Sequence, residues 1–173
     1  RLTVAPNGGG KLAASVRVAP VAAAQVFPAF ERAASLVPLV VPGGLGSHKW
    51  ADRTIVEPLE ATGAVPLILD DDDAVIEASR ANVFVVESGE MITPPADGRL
   101  LAGVTRRRLL ELLPVREEPV SLDRLLAADE VFLTGSVRGV EPVRDFEATR
   151  QWTEGALTGV VSEHLRRHWE GET

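Results

Sequence analysis

The chain alternates short apolar runs with clusters of glycine, proline and aspartate, a rhythm that favours short strands over long helices. Residues 1–4 read as the end of a strand. Asn7-Gly8-Gly9-Gly10 follows as a turn in which glycine supplies positive φ at low steric cost. Residues 12–18 read as a further strand, closed by Ala19-Pro20. Beyond a proline-punctuated stretch, Pro42-Gly43-Gly44-Leu45-Gly46-Ser47 forms a connector. Ser47 is placed to cap a helix over 48–61 that Gly63 ends. Strands are expected at 65–69, 74–76, 83–86 and 91–93, separated by the acidic turn 70–73 and the hairpin turn Ser88-Gly89. Leu109, Leu110, Leu112 and Leu113 give residues 105–113 the apolar side of a helix, and 115–120 is extended. Ser121 opens a short helix to residue 127, strands 131–134 and 140–143 flank Gly135-Ser136, and residues 146–169 form a final amphipathic helix. The sum is a mixed α/β or α+β fold of short-stranded sheets flanked by helices, without internal repeat or mid-chain linker.

Composition narrows the chemistry. At about 150 residues per domain, 173 residues make one domain or a domain with a short extension. A net charge of −7 argues against general nucleic-acid binding. No apolar stretch reaches the ~18–20 residues of a membrane helix, and no secretory signal is evident, so a cytoplasmic protein is the default. The absence of cysteine excludes disulfides, thiolate zinc sites and cysteine nucleophiles. The turn at residues 7–10 lacks the closing Gly-Lys-Ser/Thr of a phosphate loop, despite Lys11. His164 and His168 share a helical face but lack a third metal ligand, and the Asp70–Asp73 run lacks the glycine and distant glutamate of a calcium loop.

Only two lysines stand against sixteen arginines, and Lys49 lies in Ser47-His48-Lys49-Trp50-Ala51-Asp52-Arg53. A partly desolvated lysine beside a cation such as Arg53 can serve as a nucleophile; otherwise such a residue is a solvated surface charge. A second cluster runs Glu77-Ala78-Ser79-Arg80-Ala81-Asn82-Val83-Phe84, then Met91-Ile92-Thr93, then Leu101-Ala102-Gly103-Val104-Thr105-Arg106. Free N–H groups at the helix start, with the Thr105 hydroxyl, suit a phosphate.

These residues resemble the signature of the class IV, fold-type IV, pyridoxal-phosphate enzymes, which include branched-chain and D-amino-acid aminotransferases and 4-amino-4-deoxychorismate lyases. The likeness extends through Ala128-Asp129-Glu130-Val131-Phe132-Leu133-Thr134-Gly135-Ser136 and Val140-Glu141-Pro142-Val143, and covers residues 12–170. It implies a pseudo-barrel large domain and pyridoxal 5'-phosphate as cofactor. By the same resemblance, Lys49 would carry the cofactor as a Schiff base and shuttle a proton, and Glu77 would face the pyridine nitrogen. Val104, Thr105 and Ser136 would hold the phosphate, with Arg53 near the phenolic oxygen. Val137 and Arg138 would line the substrate side, Arg138 as a carboxylate partner or as a surface arginine. The run Ser136-Val137-Arg138-Gly139, followed by Pro142-Val143, looks more like the lyase pattern than the aminotransferase one. That implies conversion of 4-amino-4-deoxychorismate to 4-aminobenzoate and pyruvate, with an aminotransferase or a non-catalytic protein of the same fold as alternatives. Asp52 departs from the commoner asparagine. Family members are homodimers that place the lysine beyond a complete small domain. The expectation is therefore a C-terminal cofactor-binding domain over 21–173, preceded at 1–20 by the end of an N-terminal domain or an interdomain segment.

Overall fold

In the computed structural model, residues 2–171 are described, and Arg1, part of the expected first strand, lies outside them. Strands β1 (Leu2–Pro6) and β2 (Leu12–Val16) pair antiparallel in a hairpin with its own two-stranded sheet. The chain continues through β3 (Ala34–Val40), α1 (Glu57–Glu60), β4 (Val65–Leu69), β5 (Ala74–Ala78), β6 (Asn82–Glu87) and β7 (Glu90–Thr93). Then follow α2 (Val104–Leu112), β8 (Val115–Glu117), β9 (Val120–Ser121) and α3 (Leu122–Ala127). It ends with β10 (Glu130–Gly135), β11 (Gly139–Phe146), β12 (Arg150–Gln151) and α4 (Ala156–Glu170).

The larger sheet runs β8-β7-β6-β10-β11-β3-β4-β5-β9, with β12 on β11. The tight turn after β5 brings Ala81 back onto Ala78 in a β-bridge, so β6, β10, β11, β3, β4 and β5 curl into a ring. Period-two alternation divides the side chains of this ring between two surfaces. Val83 and Val85 of β6, with Val131 and Leu133 of β10, join one apolar cluster with Leu36, Leu67 and Leu69. Phe84 and Phe132 face the other way, stack at 5.0 Å, and pack with Leu109 of α2 and Val161 and Leu165 of α4. Both phenylalanines are fully buried, and truncating either to alanine costs about 3–5 kcal/mol.

Four expectations need correction. The helix over 48–61 shrinks to α1, because a helix begun at residue 48 would put Pro58 mid-helix, where it lacks a donor; in α1, Pro58 stands in the first turn. Ser47 caps nothing and instead contacts the His48 ring at 3.1 Å. The proline-rich stretch contains a central strand, β3, paired parallel with β4 and β11; Pro38 sits there opposite Leu67. The last helix begins ten residues late, since β11 runs to Phe146 and the chain then doubles back into β12. Its start is set by a remote acid: the Glu130 carboxylate accepts from Leu157 and Thr158 N–H at 3.0 and 2.7 Å and from the Thr158 hydroxyl at 2.7 Å. Trp152 consequently lies before α4, buried, donating to the Ala128 carbonyl at 3.0 Å.

Candidate active site

A cavity of about 530 Å³ opens where the end of β5, the start of β6, the N-terminus of α2, the end of β10 and the 41–56 loop meet. Of the residues singled out from the sequence, Lys49, Arg53, Glu77, Val104, Thr105 and Ser136 all line it. Val137 and Arg138 do not; they line a smaller adjoining cavity that shares Lys49 and Ser136 with the first.

Glu77 reaches this cavity through a β-bulge. Along β4 and β5, Leu67 pairs with Ala78 and Ile68 with Glu77, but Leu69 pairs with Val75, so one extra residue is accommodated. Val75 and Ala78 therefore both join the inner cluster, while Ile76 packs outside and Glu77 stands opposite the outward Ile68. The spacing of Glu77 and Asn82 has a physical use. Glu77 Oε2 accepts the Leu101 N–H at 3.3 Å and Asn82 Nδ2 donates to the Leu101 carbonyl at 2.8 Å, so one residue before α2 is held through both of its backbone polar groups. Burial pushes the Glu77 carboxyl up to about 7; the Leu101 N–H and the Lys49 charge pull the other way.

The N-terminus of α2 is a ready anion site. Gly103 is its cap, no side chain satisfies its first N–H groups, and Val104 and Thr105 supply them to the cavity. A Cβ on Gly103 would lie 2.3 Å from Asn82 Oδ1, so only glycine permits this approach of helix and strand. The Thr105 hydroxyl is buried without a hydrogen-bond partner, and so is that of Thr134, at the end of β10. Both residues line the cavity. Two orphaned hydroxyls beside free helix N–H groups are what a bound phosphate ester would satisfy. The sequence places Thr134 in a strand, within the run 128–136 that carries the likeness, but attaches no role to its hydroxyl; the one signal is that it precedes the Gly135-Ser136 turn.

Lys49 is exposed on a stretch without regular structure. The loop is tied at its base by residues far away in sequence. Asp70 accepts from Gly43 N–H at 3.0 Å and from Arg99 at 2.9 Å, contacts that hold its carboxyl well below the usual range. Gly44, at φ 72°, abuts the Arg99 carbonyl, and Trp50 Nε1 donates to the Leu45 carbonyl at 2.6 Å. The acidic run is thus partly an anchor rather than only a charged turn. Arg53 is engaged: it donates to Glu60 at 2.5 Å and to the Ser79 carbonyl at 3.2 Å, and Ser79 Oγ shares Glu60.

The ring of short strands and the cavity facing its helix N-terminus define a fold-type IV pyridoxal-phosphate enzyme. The family described as Amino-transferase class IV matches residues 59–146, and the chain belongs to it. Pyridoxal phosphate is the cofactor of that family, and the donor set around the cavity fits it. The chain is 34% identical to a probable branched-chain-amino-acid aminotransferase of Thermotoga maritima over 61% of its own length and 44% of the relative's. It is 32% identical to a putative branched-chain-amino-acid aminotransferase of Methanocaldococcus jannaschii, over 60% and 37%. The chain thus spans less than half the length of these curated relatives. Among solved structures, it resembles 4-amino-4-deoxychorismate lyase from Pseudomonas aeruginosa with a TM-score of 0.70 and 28% identity, over 94% of this chain and 64% of that one. An aminotransferase from Brucella abortus bound to pyridoxal phosphate matches with a TM-score of 0.59 and 31% identity, over 66% and 42%. No helix among the described residues is long and apolar enough to cross a membrane.

Proposed function

We propose that residues 21–173 form the cofactor-binding part of a pyridoxal-phosphate enzyme that moves a proton at the amine-bearing carbon of a small substrate, residues 1–20 being the end of an N-terminal domain or an interdomain segment. The observation that carries this reading is the Lys49 amine, the buried Glu77 carboxyl and the free N–H groups of α2 on the wall of one cavity. When bound, the cofactor supplies an electron sink conjugated to the substrate amine. Lys49 anchors it and then takes up and returns the proton at the reacting carbon. Glu77, in a pocket that raises its proton affinity, keeps the pyridine nitrogen protonated. Val104 and Thr105 N–H groups, with the Thr105 and Ser136 hydroxyls, hold the phosphate. Arg53 stands by the phenolic oxygen, and Val137 and Arg138 face the substrate.

In its finer form the reaction is the elimination of pyruvate from 4-amino-4-deoxychorismate, leaving 4-aminobenzoate. The turn Ser136-Val137-Arg138-Gly139 and the long match to the Pseudomonas aeruginosa lyase support it. A class IV aminotransferase acting on branched-chain or D-amino acids is the second reading, its branched-chain form supported by the names of the curated relatives. Homodimeric assembly and a cytoplasmic location belong to both. Pyruvate and 4-aminobenzoate released from 4-amino-4-deoxychorismate by the full-length protein favour the first reading, and half-transamination with leucine or D-alanine favours the second. A cofactor absorbance unaltered by Lys49→Ala overturns both and leaves a non-catalytic protein of this fold.

A further inference from the structure

Lys49 and Glu77 stand on different walls of the main cavity, and a cluster outside it joins the two stretches that carry them. Arg53 lies four residues beyond Lys49, and Ser79 two beyond Glu77. Glu60, the last residue of α1, receives both on one oxygen: Arg53 Nη2 donates to its Oε1 at 2.5 Å and Ser79 Oγ at 2.6 Å. Arg53 Nη1 also donates to the Ser79 carbonyl at 3.2 Å, which closes the three residues into a ring of contacts. Each member is held from behind. Ser79 is buried in the tight turn between β5 and β6 and donates its N–H to the Pro66 carbonyl at 2.8 Å. The start of α1 is seated on the outer side of the sheet by Val56, which packs with Ile68, Ile76 and Leu100.

The same short helix fixes the Arg53 main chain, whose carbonyl accepts the Val56 and Glu57 N–H groups at 3.0 and 2.9 Å. The Arg53 and Glu60 side chains keep 22% and 25% of their exposure, so opposite charges attract across a partly dehydrated gap. Burial alone would raise the Glu60 carboxyl. Hydrogen bonds from Arg53 and Ser79, with the Arg53 and Arg80 charges, outweigh it and hold the carboxyl below its ordinary value, so it is ionised at neutral pH. Among the described residues, Glu60 is the acid in ion-pair contact with Arg53. Asp52, its chain neighbour, is turned instead to the Thr54 N–H and hydroxyl, at 2.9 and 2.8 Å. One carboxylate therefore both steers the Arg53 guanidinium and offsets its charge, beside a cavity that also holds Lys49, Arg80 and Glu77.

We propose that Glu60 is a positioning residue of the active site: it clamps the Lys49 loop to the turn beyond Glu77 and offsets the Arg53 charge, and so sets where the lysine amine meets the buried carboxyl and in what field. Glu60 does not line the cavity and acts through Arg53 and Ser79. The clamp is a property of this chain alone; its bearing on catalysis rests on the pyridoxal-phosphate reading above.

The test is Glu60→Gln in the full-length protein, an isosteric change that keeps an oxygen for Ser79 and removes the charge. In the cofactor-free variant, amide hydrogen exchange over the 41–56 loop is expected to quicken about tenfold while the strands of the ring exchange as in the wild type. With pyridoxal phosphate bound, the pH midpoint of its absorbance change is expected to fall by roughly half a unit, because an uncompensated guanidinium disfavours further positive charge in the cavity. Ser79→Ala removes one arm and no charge; it is expected to quicken loop exchange about threefold and to leave the pH midpoint in place. Loop exchange within about twofold of wild type in folded Glu60→Gln overturns the proposal, and so does an unmoved midpoint, which would reduce Glu60 to a structural contact. Should Glu60→Gln fail to fold, Glu60→Asp keeps the charge but is one methylene too short for both partners. Its loop exchange is then expected to quicken about threefold, and exchange within about twofold of wild type overturns the proposal. A cofactor absorbance unaltered by Lys49→Ala, with loop exchange still responding to Glu60→Gln, would sink the cofactor reading and leave the clamp standing.

Discussion

On one side of the main cavity, Glu77, Asn82, Thr105 and Thr134 are buried and tied into strands and a helix; on the other, Lys49 and Trp50 lie exposed on an irregular loop that is tied down on either side of them, by Asp70 at Gly43 and by Glu60 and Ser79 at Arg53. The buried wall is preorganised before any ligand arrives, and it pays for this with groups left unsatisfied: two hydroxyls without partners and a carboxyl forced toward protonation. The loop wall stores no such strain. Its amine is solvated and accessible, suited to a group that must first attach to one molecule and then act on another. On the proposed reading, binding is built into the scaffold, while the nitrogen proposed to react is carried by a stretch that secondary structure does not hold.

Five substitutions test this division, in descending order of effect. Lys49→Ala removes the reactive amine from the loop wall and is expected to lower kcat by about 10²–10⁴-fold. Cofactor absorbance lost in the variant, with thermal stability of the cofactor-free protein unchanged, is the matching signature. A fall in stability instead would mean that the loop is more tightly integrated than its exposure indicates.

Glu77→Gln acts in opposite directions on function and stability. It is expected to lower kcat by about 10²-fold, since an amide cannot hold a proton on the pyridine nitrogen. The folded carboxyl titrates at about 7, above its value in the unfolded chain. The folded state therefore binds more protons between those values, and stability falls as pH rises through 7. Denaturant unfolding of the cofactor-free protein at pH 5 and pH 8 is expected to show a loss of roughly 1–3 kcal/mol in the wild type and little in the variant.

Gly103→Ala places a methyl group against Asn82, itself buried and bound to the Leu101 carbonyl. The helix start must shift or Asn82 must release Leu101, at a cost of about 1–3 kcal/mol in stability. Cofactor titration should show weaker binding as well. Thr105→Val and Thr134→Val are the mildest and the most discriminating. Each removes a buried hydroxyl without a partner, so the cofactor-free protein is expected to be unchanged or slightly more stable, while cofactor Kd rises about tenfold. A loss of stability without a change in Kd would mark the hydroxyls as structural.

Short apolar runs bounded by turn residues made the ring legible. Residues 83–86 and 131–134 read as strands because they are such runs, and they are apolar throughout because both faces of the ring are covered by apolar clusters. The α2 N-terminus was legible from Gly103-Val104-Thr105, and the Ser121 cap is made, accepting the Arg124 N–H at 3.1 Å. Helix extent was less legible. A capping serine and a terminating glycine suggested a helix over 48–61, but Pro58 outweighed both. Nor could spacing disclose that Asp70 anchors the lysine loop or that Arg80 meets Glu141, sixty-one residues away.

Local chemistry along the chain determined which residues were available: a rare lysine, a glutamate before a tight turn, a glycine-led helix start, and short apolar runs between turns. Tertiary structure decided where they point. Strict alternation from Val75 would have turned Glu77 inward, and the bulge against β4 turned it to the cavity. Glu130 decided where α4 begins, and Glu141 decided that Arg80 and Arg138 share one carboxylate. Backbone period and turn preference act over a few residues, whereas a bulge, a remote cap or a shared carboxylate exists only once strands distant in sequence have paired.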